Sequence, residues 1–437
     1  MSFRIFLFVS LICAALFWAC EPEIDLEELS NNPGISPGEL NFQNFVAIGD
    51  EFTAGFHSRE LFFSGQFNAY PAIMARQFTL VGGEGFSFPA MYDESGFGNR
   101  LALGNREDCR EVEELTLIPY NKEFDPRNSE NLGPNLYNNM GVPGLKVLEI
   151  DNDDYEDDNP YWARMIASEG ATYLAHLELT PISSFVLWLG TADVLRWAKN
   201  GGQSFGSELS FITPSQFFED NYRELLELLS TKTNRGLLVT IPKIKDFPFF
   251  ELIPRDALEL TAEQAAQLNV LYAANPFVSF REGKNPFVVS DGLFTRQISN
   301  EERILLSLDL DSVKCGGYGS VIPFSDADVL LLDELFELDV AIDNYNRIIR
   351  RLGKEFGYPV VDIEDFYKEI RVNGLIWDGA RTNYSFVSGG YFSLDGICPT
   401  PKGSAFLANE LIGTLNRVYN AQIPLANPND FEGVRLP

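Results

Sequence analysis

Residues 45–58 read FVAIGDEFTAGFHS. An apolar run ends at Gly49-Asp50, Glu51 follows, and a turn of small residues closes on Gly55. A short apolar run bounded by turn formers predicts a strand buried on both faces. The tight turn after such a strand, at the mouth of an α/β sheet, is where a nucleophilic serine often stands; here that place holds a glutamate. Three further runs share the pattern: SSFVLWLG from 183, GLLVTIP from 236 and YPVVDI from 358. Text of helical period, SQFFEDNYRELLELLSTK from 215 and LFELDVAIDNYNRIIRRLGKEFG from 335, precedes the last two. Helix alternating with wholly apolar strand predicts α/β architecture around a parallel, doubly wound sheet, which takes its ligands at the carboxyl ends of its strands.

The chain has 437 residues, 45% of them hydrophobic, enough for one large domain with insertions or for two domains. Its formal net charge of -30 argues against nucleic acid and against anionic membrane surfaces as partners, because both select clustered Lys and Arg. The start of the chain is not fold. Arg4, the apolar IFLFVSLICAALFW and the ending FWAC resemble a bacterial lipoprotein signal peptide over 1–19, with Cys20 acylated as the mature N-terminus, palmitate being one such acyl group. An ordinary secretory signal is the alternative. Residues 20–40 then read as an acidic, Pro- and Gly-rich tether. Its Glu21, Glu23, Asp25, Glu27 and Glu28 form either a cell-surface address or a plain linker.

A domain over 41–425 is expected next, with insertions near 80–135 and 246–334 at the sheet edge, and a tail over 426–437. The second insertion directly follows a strand end and is expected to cap the ligand face. Three cysteines remain once Cys13 and Cys20 are assigned to the leader and the anchor. Cys109 and Cys315, both in polar loop text, are the candidate disulfide pair, and Cys398 is left over.

Four ordered stretches carry a resemblance. Gly49-Asp50-Glu51 with Gly55 is similar to the opening block of the SGNH, or GDSL, hydrolases. NNMGVPGLKV resembles their second block, with its glycine at Gly141. VLWLGTADVL resembles the third at Gly190 to Asp193, and FSLDGICPTPKGSAFLANELI the last at Asp395 to Cys398. The resemblance implies a flavodoxin-like three-layer α/β/α domain with esterase, lipase or acyl-transferase chemistry. In that chemistry a serine attacks, a histidine takes its proton, an aspartate orients the histidine, and backbone amides with an asparagine hold the oxyanion. This chain departs at three of those positions: Glu51 replaces serine, Ala192 asparagine and Cys398 histidine.

The implied ligand cleft therefore comprises Asp50, Glu51, Gly141, Ala192, Asp193, Asp395 and Cys398. A carboxylate beside Cys398 should raise its thiol pKa and make it a poor base. Glu51, placed at a helix start, should have its charge stabilised and its basicity lowered. Six helical residues would turn His57 about 240° away from Glu51, and His176 carries no motif around it; a structural role is the expectation for both. The acidic DNDDYEDDN at 151 lacks a calcium-loop pattern and reads as a solvated loop. No metal or cofactor is called for. The expected function is a ligand- or partner-binding lipoprotein subunit at an outer membrane, held by lipid on Cys20 and open to a membrane-protein partner. The alternative is an ester hydrolase of lipid or acetylated glycan that uses Glu51 as base.

Overall fold

The computed structural model describes residues 34–437 apart from 121, 167 and 205–209. The expected signal peptide and Cys20 lie outside the described residues. Five strands form the central sheet: β1 (Phe45–Gly49), β2 (Asn139–Gly141), β3 (Ser184–Trp188), β4 (Gly236–Val239) and β5 (Val360–Val361). All neighbours are parallel, and the order across the sheet is β5-β4-β3-β1-β2. Numbered along the chain this is 2-1-3-4-5, the flavodoxin-like doubly wound order, whose switch point lies between the first and third strands. The register puts Gly49 beside Gly141 on one side and Trp188 on the other, so the turns after β1, β2 and β3 emerge together.

Every residue of β1, β3 and β4 is buried, as a sheet covered on both faces requires. One layer contains α1 (Tyr70–Thr79) packed on α6 (Pro401–Val418). The other contains α3 (Ser215–Lys232) packed on α4 (Leu332–Phe356), with the short α2 (Ala192–Ala198) against α4. Helix α4 buries Leu335, Leu338, Ile342, Tyr345, Ile349 and Leu352 at the spacing of one helical face. Gly357, at φ 77°, ends it in the left-handed conformation that suits glycine. Helix α5 (Ile363–Val372) follows β5 and presents Ile363, Phe366, Tyr367 and Ile370 inward. Among the described residues, no helix is long and apolar enough to cross a membrane.

The described end of the expected tether lies against the domain: Ser36 and Gln422 exchange backbone hydrogen bonds, and Leu40 is buried. The stretch at 151 differs from the expected loop, because Tyr155–Asp158 forms a helical turn that buries Tyr155. The side chain of Asn159, just beyond it, donates to the Pro143 carbonyl at 2.9 Å. That acidic segment is a support for the turn after β2.

Both insertions carry structure of their own. The first contains an antiparallel hairpin, Leu101–Glu107 with Glu113–Pro119. The second builds a small core around Phe287, Val289, Ile298, Ile304 and Phe324. Cys109 and Cys315 are bonded across a sequence separation of 206 residues, as the sequence predicted, and join the two insertions. Arg106 with Asp311 at 2.8 Å and Lys314 with Glu114 add ion pairs at the same junction. These pairs are part-exposed and contribute little; the covalent link dominates by restricting the unfolded chain. The double variant Cys109→Ala/Cys315→Ala is expected to lose about 2–5 kcal/mol in urea unfolding with an unchanged far-ultraviolet spectrum. An unchanged midpoint would show that the insertions dock without the bond.

Candidate functional site

The turn after β1 is set by Asp50. Its carboxylate caps a four-residue helical turn, Glu51–Ala54, by accepting from the Phe52 amide at 3.3 Å, while its other oxygen accepts from the Thr191 amide at 3.1 Å. Gly55, at φ 85°, closes the turn. The side chain of Phe52 drops into the core and stacks on Trp188 with ring centroids 4.8 Å apart. Glu51 is thereby turned upward, into a cleft of about 510 Å³ at the carboxyl ends of the strands. The floor and walls of that cleft include Glu51, Ala192, Asp395, Cys398, Pro143 and Gly144.

Four of the seven residues expected in the cleft are there, and three are not. Asp50 is wholly buried and spends both oxygens on the two turns it joins. Asp193 is also wholly buried, accepting from the Val147 amide at 2.8 Å beneath the cleft. Gly141 packs so tightly on the turn above it that a Cβ would stand 2.2 Å from the Ala54 amide nitrogen. The glycine that reaches the cleft is Gly144, whose amide donates to a Glu51 carboxylate oxygen at 3.1 Å. Gly144, three residues on in the same block, is thus the glycine whose amide faces the cleft.

The last block reaches the cleft through a tight loop. One Asp395 oxygen accepts from the Ile397 and Cys398 amides, both at 2.8 Å, and the other from the Arg59 amide at 3.2 Å. No imidazole takes part. His57 is not on the helix begun by Glu51, which stops at Gly55, so the helical-rotation argument does not apply to it. Its ring lies edge-on to Phe62 at 4.4 Å, contacts the Ser58 hydroxyl and faces a separate cavity. Burial pushes its pKa down to about 3. His176 is buried on the helix Tyr173–Leu179 against Trp162.

Burial also decides the electrostatics. It raises the pKa of Glu51, with Asp395 adding to the shift and the Gly144 amide and Lys199 opposing it. The expectation that a helix start would lower the basicity of Glu51 is thus overturned: a single helical turn has little dipole to offer, and desolvation outweighs it. Cys398 is pushed well up, first by burial and then by Asp395 and Glu51, as its neighbours predicted. Around the mouth stand Arg59, Arg196 and Lys199, all exposed, together with Phe56 and Tyr161. Sequence reading missed all five, because they sit outside the motif letters and only the fold assembles them. Among the described residues, no group of three or more His, Cys, Asp or Glu side chains is placed to hold a metal ion.

No family model matches the chain, and no curated protein matches it. Among solved structures, the chain is similar to an alpha/beta hydrolase enzyme from the metagenome of Lake Arreo, Spain. The identity is 12% and the TM-score 0.33, over 86% of this chain and 96% of that one. It is also similar to a protein assigned as a GDSL-like lipase from Parabacteroides merdae. There the identity is 12% and the TM-score 0.36, over 87% of this chain and 99% of that one. At those scores the likeness carries no weight by itself. The order of the five parallel strands, with the first, second, third and last blocks converging at their carboxyl ends, makes the fold α/β and SGNH-like.

The buried carboxyl of Asp193 offers a pH test of this arrangement. Burial pushes its pKa up to about 7. Its neutral form is therefore favoured in the folded chain. The stability it contributes is complete below about pH 4 and is lost as the pH rises through about 7. In urea unfolding, Asp193→Asn is expected to flatten the decline between pH 4 and pH 8 by a few kcal/mol. Parallel curves for the two proteins would contradict the burial of an ionisable carboxyl there.

Proposed function

We propose that the chain is an exported, lipid-anchored protein that uses a hydrolase-like cleft to bind a ligand and does not perform acyl transfer. The observation that carries this reading is the composition of the cleft: a carboxyl at the nucleophile position, a thiol of raised pKa at the base position, and no imidazole. A thiol that holds its proton at neutral pH cannot activate water or a hydroxyl. Ala192 supplies no side-chain donor to an oxyanion, a loss on the order of 3 kcal/mol of transition-state stabilisation. The scaffold is intact around these changes, with two buried carboxylates and a glycine turn holding an open pocket.

Export is supported by the leader-like start and by the disulfide between the insertions, since such bonds persist in oxidising compartments. Anchoring at an outer membrane through Cys20, beside a membrane-protein partner, completes the proposal. In cells fed labelled palmitate, the wild-type chain is expected to take up label and Cys20→Ala to lose it. Equal labelling of both would remove the anchor from the proposal.

One observation favours a second reading. The raised pKa of Glu51 brings its carboxyl toward the range of a working base. The purified protein, assayed on short-chain nitrophenyl esters beside Glu51→Gln, separates the two. Neither protein is expected to exceed background, and a fluorophosphonate probe is expected to label neither. Turnover by the wild type that vanishes in Glu51→Gln would replace the binding reading with ester hydrolysis.

A further inference from the structure

We infer that the ligand of this cleft is an acidic saccharide: a hydroxyl-rich ring bearing a carboxylate, of the uronic-acid kind. This rests on the binding reading above and names its ligand class. The cleft combines three chemistries in one volume, and only a ligand with three matching parts satisfies them together.

The first is the rim. The chain carries a formal net charge of -30, yet Arg59, Arg196 and Lys199 meet at one mouth. None of the three has an ion-pair or hydrogen-bond partner for its side chain among the described residues. Elsewhere the cations of the first insertion are taken up: Arg100 by Glu94, Arg106 by Asp311, Arg110 by Asp108, Lys122 by Asp93 and Arg127 by Asp125. Lys199 is attracted to Glu51 and Arg196 to Glu149 only at longer range, so the three side chains keep hydrogen-bonding capacity at the mouth for an anion seated among them. Planar guanidinium groups suit a carboxylate in particular, which they hold by paired hydrogen bonds.

The second is the floor. Glu51 and Asp395 are buried carboxyls, the first only 8% exposed. Asp395 has three backbone amides on its oxygens, whereas Glu51 has two, those of Gly144 and of its own backbone, and lines the cleft with the rest of its carboxyl. Such a floor asks for hydroxyl donors. It rejects an acyl chain, which would leave a carboxyl without a partner.

The third is the wall. Phe56 and Tyr161 stand edge to face with centroids 6.3 Å apart. Tyr161 is fixed by its hydroxyl, which donates to the buried Glu60 carboxylate at 2.7 Å. An aromatic wall of this kind covers the C–H face of a sugar ring at little cost in side-chain entropy. A volume of about 510 Å³ accommodates one or two sugar rings.

Calorimetric titration of the full-length protein in mild detergent with digalacturonate, a neutral galactose disaccharide and acetate tests the assignment. Digalacturonate is expected to bind at least tenfold more tightly than the neutral sugar, with acetate too weak to measure. Arg196→Ala/Lys199→Ala, at exposed positions, is expected to abolish that preference, bringing the affinity for digalacturonate down to that for the neutral sugar. Arg59→Ala provides an independent second variant with the same expected direction. Equal affinity for the acidic and neutral sugars, binding by acetate alone, or no binding to any of the three overturns the saccharide assignment while leaving the binding reading intact. Loss of the binding reading has a separate signature, the Glu51-dependent ester turnover.

Discussion

The Asp50 carboxylate joins the two turns on which the cleft depends. One oxygen holds the Phe52 amide at the start of the turn after β1, and the other holds the Thr191 amide at the start of the turn after β3. These are the two strands flanking the switch point, where a doubly wound sheet opens its crevice. The carboxyl is wholly buried, and burial with the adjacent Glu51 raises its pKa well above the ordinary range while the backbone amides oppose the shift. A carboxyl without those amides would be costly to bury. The backbone is thereby confined to the one conformation that supplies them, which throws Phe52 into the core and Glu51 into the cleft.

The same balance supports the proposal that the cleft binds and does not catalyse acyl transfer. Acyl transfer needs a nucleophile and a base whose charges rise and fall during reaction, with donors aimed at the developing oxyanion. Here burial presses Glu51, Asp395 and Cys398 toward their neutral forms, and the Gly144 amide that faces the cleft is taken by Glu51 itself. An amide that an oxyanion could use is thus occupied by the residue at the position the resemblance gives to the nucleophile. Even a base-active Glu51 would have to surrender that amide at the moment an oxyanion required it.

Much of the fold was legible because its signals are local. Long apolar strands such as FVAIG and SSFVLW, and the inward face of the helix ending at Gly357, are written in residues close together in the chain. Strand β2 is three residues, Asn139–Gly141, with no apolar period of its own, and only its register against β1 identifies it. The candidate site was legible unevenly. Glu51, Ala192, Asp395 and Cys398 occupy positions that a motif points to. Asp50 and Asp193 stand next to those positions in sequence, but the turns rotate them inward. Gly141 and Gly144 are three residues apart in one block, and spacing alone does not tell which amide faces outward. Arg59, Arg196, Lys199, Phe56 and Tyr161 carry no motif and meet only through the crossing of loops.

The insertions, long relative to the minimal sheet, have a mechanical reason to exist once the loops are traced. Asn99 of the first insertion donates its amide to Glu60, and Arg100 lies over the Phe62 ring at 3.5 Å, bracing the segment that carries Arg59. Phe249 of the second insertion donates its amide to the Gly396 carbonyl at 3.0 Å, bracing the loop that carries Asp395 and Cys398. The two braced segments meet directly, with the Ser58 amide on the Ser393 hydroxyl at 2.9 Å and the Arg59 amide on Asp395. Behind them the Cys109–Cys315 bond ties one insertion to the other. Each insertion therefore acts less as a lid than as a buttress, and cross-linking them fixes the separation of the loops they support. A site that has to change shape during a reaction gains little from such bracing. One that binds by presenting a fixed set of charges and rings gains affinity from it, because less loop entropy is lost when the ligand arrives.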